Sequence, residues 1–175
     1  TYLITSVGST DFTAIGADAN LVGTVFVATG PGTGTGTVSA VATYSGSNTG
    51  ATSETGEPVH ATVGVGNSVW WVWTPTKTGT ATIDTNGSSF DTVLAVYRSS
   101  GSSVAALTPV AYDDDVSATN VTSKVSFTAL QGATYYIAVD GYNGGARGST
   151  GRSRCTLRLV RGLMTRRTTI MLIAR

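Results

Sequence analysis

Across residues 38–160, short runs rich in β-branched and aromatic residues recur every 8–15 residues, each closed by a Gly, Asn, Ser or Asp turn. Residues 68–73, 79–84, 92–97, 110–112, 123–128, 134–139 and 155–160 all read as strands. No apolar period of 3.6 residues lies between them, so no amphipathic crossover helix is available and parallel α/β folds are excluded. The pattern predicts an all-β fold, an antiparallel β-sandwich or jelly roll. Composition agrees. Charged residues make up only 12% of the 175, about half the usual share. Thr, Ser, Gly and Asn therefore supply the polar surface, and Thr and Val suit a pleated sheet.

Two segments flank this body, giving an expected division into residues 1–38, 39–160 and 161–175. In the first, residues 2–7 and 23–29 read as short strands, and Ser9, Thr10 and Asp11 offer a cap for a turn over residues 12–15 that Gly16 closes. The Gly-Thr repeat at residues 30–37 is expected to be an extended connector or arm, and residues 1–38 carry too few apolar side chains to promise a core. The last segment is basic. Every acidic residue lies at or before Asp140, giving that stretch a charge of −7, whereas residues 141–175 hold eight Arg and no acid. Such asymmetry marks an interaction tail. Residues 168–173 form an apolar run that reads as a strand added to a sheet edge, its own or a neighbour's.

The single Cys155 forbids an intramolecular disulfide and reads as a small buried hydrophobe. No secretion leader is visible, although Thr1 leaves open a removed Met or a cleaved leader, and no apolar run reaches the roughly 18–20 residues of a membrane helix. Membrane attachment is not expected.

Residues 50–60, 68–73, 89–97, 113–115 and 132–142 form an ordered series. Its motifs are Gly56-Glu57-Pro58-Val59-His60, Trp70-Trp71-Val72-Trp73, Phe90-Asp91-Thr92 and Tyr135-Tyr136-Ile137-Ala138-Val139-Asp140-Gly141. This series resembles a bacterial β-sandwich family related to the pre-peptidase C-terminal domains. The resemblance implies an extracellular, non-catalytic module appended to larger proteins, some relatives of which bind calcium. It departs after Gly145, where an Arg-rich stretch follows. Residues 2–17 and 20–26, with the Gly-Thr repeat, resemble a short module of tailed-phage structural proteins, which implies a place in a virion.

Calcium takes six to eight oxygen ligands, and the best candidate set is Asp91, Asp113, Asp114, Asp115 and Glu57. Asp91 precedes one expected strand and the three consecutive Asp follow another, so neighbouring strands can bring them together. A solvated Asp-rich turn, or a contact with the arginine tail, are the alternatives. Trp71 and Trp73 share one strand face and Trp70 the other. They read as core anchors, with surface glycans as the alternative ligand.

His60 is the only histidine, and no nucleophile-elbow motif accompanies it, so catalysis is not expected. Arg152, Arg154, Arg158, Arg161, Arg166 and Arg167 alternate with apolar and Thr residues without aromatic interleaving. This favours docking on acidic protein over nucleic acid. Arg158, Arg161, Arg166, Arg167, Ile170 and Leu172 are the expected assembly residues. The reading is a non-enzymatic capsid decoration or tail-associated protein on a virion surface, partnered by copies of itself and other structural proteins. The alternatives are a secreted cell-surface or filament subunit assembled by strand exchange, or a carbohydrate- or protein-binding accessory module.

Overall fold

The computed structural model describes residues 1–63, 66–99 and 104–142, together with the backbones of strands at Arg154–Val160 and Met171–Ile173. The described chain is all β apart from three short 3-10 turns. Among the described residues no helix is long and apolar enough to cross a membrane. By its contacts the chain forms two compact units, with the first division falling between Ala42 and Thr43.

The first unit is built from β1 (Tyr2–Ser6), β2 (Val25–Phe26) and the start of β3 (Thr37–Ser47). β1 pairs antiparallel with both, Tyr2 facing Phe26 on one side and Ala40 on the other. Asp11 accepts the Thr13 backbone N–H at 3.0 Å, a 3-10 turn runs over Thr13–Ile15, and Gly16 closes it in the left-handed region at φ 102°. The turn and its Gly16 closure are as expected, but its N-cap position is Phe12, which has no side-chain cap, and Asp11 acts from one residue earlier.

Two expectations for this region do not hold. Ile4, Phe12, Ala17 and Phe26 pack into a small core of their own, flanked by Val7, Ile15 and Ala28. Burying each Phe contributes about 1.5–3 kcal/mol, enough to organise a short segment that looks polar on average. The Gly-Thr stretch is no free connector. Ser9 and Thr35 exchange backbone-to-hydroxyl hydrogen bonds at 3.1 Å, and the Gly36 N–H donates to Thr10 Oγ1 at 2.8 Å. Glycine is required here: a Cβ on Gly36 would lie 2.5 Å from the Val7 carbonyl oxygen and 2.8 Å from the Phe12 ring.

The second unit contains a five-stranded antiparallel sheet. It comprises β4 (Val69–Trp73), β6 (Thr92–Ser99), β7 (Leu107–Asp113), β9 (Tyr135–Gly141) and β11 (Met171–Ile173), in the order β11-β4-β9-β6-β7. Opposed to it are β5 (Gly79–Asp84) and β8 (Lys124–Ala129), paired from Gly79 with Ala129 to Asp84 with Lys124. The backbone of β10 (Arg154–Val160) lies next to β5 on the side away from β8.

Alternation explains the packing. Val69, Trp71 and Trp73 face inward opposite Val139, Ile137 and Tyr135, and all six are buried. Trp73 meets Phe127 of the opposing sheet at a ring distance of 6.4 Å, and Tyr135 meets it at 5.3 Å. These contacts close a β-sandwich of the expected class. At 1% and 0% exposure, Trp71 and Trp73 present no face to a sugar, so the glycan alternative fails for them. The expected strands are present with their ends shifted by up to three residues, but β3 went unpredicted.

Candidate functional site

β6 and β7 are antiparallel neighbours, with Leu94 opposite Asp113. That register places the residue before β6, Asp91, at the same end of the sheet as the residues after β7. Asp91, Asp114 and Asp115 come together there, each offering a carboxylate oxygen within 4.8 Å of the others. Asp91 and Asp114 are half-buried, and one oxygen of each is buried with no hydrogen-bond partner. Burial, reinforced by the charge of Asp115, raises the Asp91 carboxyl above its ordinary value. Burial likewise raises Asp114, with Asp115, Asp91 and Asp113 adding repulsion. Three such groups at one sheet end repel one another unless a cation neutralises them, and hard oxygen donors suit calcium or magnesium.

Buried hydroxyls hold these loops in place. Thr85, Thr92 and Ser123 are fully buried: Thr85 Oγ1 lies 2.6 Å from Thr92 Oγ1, and Thr92 Oγ1 lies 3.0 Å from Ser123 Oγ. The Ser123 hydroxyl donates to the Asp114 carbonyl at 2.8 Å, and the Tyr142 N–H donates to the Asp91 carbonyl at 3.0 Å. The carboxylate-bearing loops are thus tied to the strand ends through their backbones, which leaves the side chains for the cluster. No sequence signal singled out these hydroxyls, because Thr and Ser are everywhere in the chain.

Two of the five expected calcium ligands lie elsewhere. Asp113 Oδ2 accepts the backbone N–H of Lys124 at 2.8 Å, an interaction that joins β7 to β8. Glu57 belongs to a separate buried network. Its Oε1 pairs with His60 Nε2 at 3.0 Å and accepts the Ser68 hydroxyl, while Oε2 accepts the Glu54 N–H at 2.7 Å. Burial alone would raise this carboxyl, but the hydrogen bonds from His60, Ser68 and Glu54 outweigh it and hold it below the ordinary value. The i, i+3 spacing of Glu57 and His60 was the available signal for this pairing.

His60 is fully buried, and its other nitrogen, Nδ1, meets Tyr97 Oη at 2.7 Å. Burial, with the nearby Glu57 charge, drives the Tyr97 phenol well above its ordinary value, so it stays a neutral hydroxyl. The His60 ring packs against Trp70 and Tyr97 at 5.3 and 5.7 Å. This network fastens residues 54–60 and Ser68 to Trp70 and Tyr97 of the five-stranded sheet. Next to His60, Ala61 and Thr62 sit in the left-handed region at φ 46° and 66°, a strain that the latch sustains.

Of the expected assembly residues, Leu172 is placed by its backbone opposite Trp71. The side chain of Arg158, and Arg161, Arg166, Arg167 and Ile170, lie outside the described residues, as do Arg152 and the side chains of Arg154 and Cys155.

Residues 67–141 match the bacterial pre-peptidase C-terminal domain. The match covers β4 to β9 and does not reach the first unit. A comparison with curated proteins finds no match.

Proposed function

We propose that this chain is a non-catalytic surface module that binds and assembles, a sandwich of extracellular type steadied by calcium at Asp91, Asp114 and Asp115. The observation that carries this reading is the pre-peptidase C-terminal match over residues 67–141, the stretch of the sandwich that runs from β4 to β9. The chemistry inside it supports the same view. The residues that invite a catalytic reading, His60 with Glu57, are sealed from solvent and spent on fastening a loop. The carboxylate cluster offers three hard donors to a calcium ion, which would relieve the repulsion that raises Asp91 and Asp114.

The resemblance of residues 1–38 to a tailed-phage structural module favours the outside of a virion as the site of action, with copies of the chain and other particle proteins as partners. Immunogold labelling tests this, with antibody against the purified protein applied to phage particles and to bacterial cells from the same culture. Gold on the particles is the expected result. Gold confined to the cell surface or to filaments supports a secreted bacterial subunit instead.

A further inference from the structure

The sheet edges of this protein are not equally closed. β2 is only two residues long. β7 carries Pro109, which has no N–H, and the register slips between Val96 and Tyr97, so Val110 bulges from the ladder. On β8 the Lys124 N–H is occupied by the Asp113 carboxylate. These are standard ways of blunting an edge against further pairing. β4 has none of them. Its sequence, Val-Trp-Trp-Val-Trp, is five residues without proline, glycine or charge, and what covers its free side is the three-residue strand Met171–Ile173.

We propose that this covering strand is exchanged between copies, so that Met171–Ile173 of one chain completes the five-stranded sheet of a second beside Val69–Trp73. The inference rests on the assembly reading above and names its partner surface. The fit needs no new complementarity, because the intrachain register already supplies it: Met171 opposite Val72, Leu172 opposite Trp71 and Ile173 opposite Trp70. A strand from another copy makes the same backbone hydrogen bonds, so the exchange conserves them and is governed by concentration. The connection permits it. Ten residues separate Val160 at the end of β10 from Met171, a span reaching up to about 40 Å when extended. A mutual exchange closes into a dimer, and a one-way exchange propagates as a chain of subunits.

Single cysteines test this in the full chain with Cys155→Ser. Copies carrying Val72→Cys are mixed with differently tagged copies carrying Met171→Cys, unfolded, refolded together and oxidised. The chain carrying both substitutions is treated alongside as a measure of the intrachain link. The expected result is a disulfide-linked dimer of the two tags whose yield rises with protein concentration. A bond that forms only within the doubly substituted chain overturns the exchange, as does no bond in either sample. Sedimentation of the unsubstituted chain separates the two ideas. Self-association without the mixed-tag link sinks the exchange and leaves assembly standing, whereas a monomer at every concentration sinks both.

Discussion

Asp114 sits where burial and three neighbouring charges all oppose its ionisation. Asp114→Asn should therefore stabilise the protein slightly in the absence of divalent cations, by no more than about 1 kcal/mol because the site is partly solvated. With calcium present the sign should reverse. The natural chain gains about 2.7 kcal/mol at a calcium concentration one hundredfold above Kd, and the variant loses that gain. Melting curves with calcium and with chelator, for both proteins, check the crossover. Identical curves for the natural chain would remove calcium from the picture.

Glu57 behaves oppositely. Its carboxyl is held below the ordinary value of 4.5 in the folded state, so its contribution is present above that pH and is lost as pH falls through the lower folded value. Acid titration of stability should show this loss, and Glu57→Gln should flatten it. His60→Ala leaves the buried Glu57 without its main partner and should cost about 2–4 kcal/mol, read by urea denaturation at neutral pH. The sequence made the Asp cluster legible through its turn and strand positions, but it joined Asp113 and Glu57 to the wrong partners. Carboxylates look alike in a sequence. What distinguishes them here is which backbone N–H or ring nitrogen the fold brings within 3 Å.

At the scale of elements, alternation and turn chemistry made most of the sandwich strands readable, and Gly16 made the end of the first 3-10 turn readable as well. β3 escaped because Ser, Ala and Gly interrupt its Val, Thr and Tyr, which leaves Thr-Val-Ser-Ala-Val-Ala-Thr-Tyr-Ser-Gly-Ser without a dense run of strand-forming residues. Partners supply the missing preference: Val38, Ser39 and Ala40 pair with Ile4, Leu3 and Tyr2. The core of the first unit was illegible for a related reason, since Ile4, Phe12, Ala17 and Phe26 are scattered through polar sequence and meet only after the chain folds back. Gly36 tests that folding-back. Gly36→Ala drives a methyl into the Val7 carbonyl and the Phe12 ring and should cost about 1–3 kcal/mol by overpacking. Proteolysis of residues 1–42 should accelerate in the variant, while the near-ultraviolet signal of Trp71 and Trp73 stays unchanged.

For the molecule as a whole, the charge asymmetry sets an expectation about assembly. The stretch up to Asp140 carries −7 and residues 141–175 carry +8. Deleting residues 161–175 should leave a folded sandwich that no longer self-associates, and association of the full chain should weaken as salt rises, because exposed charge pairs are screened. Sedimentation velocity of both forms at low and high salt reads each effect. Continued assembly of the truncated chain would move the interface to the sandwich faces.

The pairing of Val69–Trp73 with Tyr135–Gly141 also sets a timetable for synthesis. A ribosome releases the tryptophan-rich strand long before it releases the strand that pairs with it, and Met171–Ile173, which covers its other side, comes later still. The pairings of β1 with β2 and with the start of β3 lie within the opening residues and can form while the rest is being made, whereas Leu159 and Val160 of the same unit arrive near the end. The nascent sandwich cannot close that early. During that interval its most apolar strand is open on both sides, so the yield of folded protein should depend on translation speed and on chaperones that shield exposed strands.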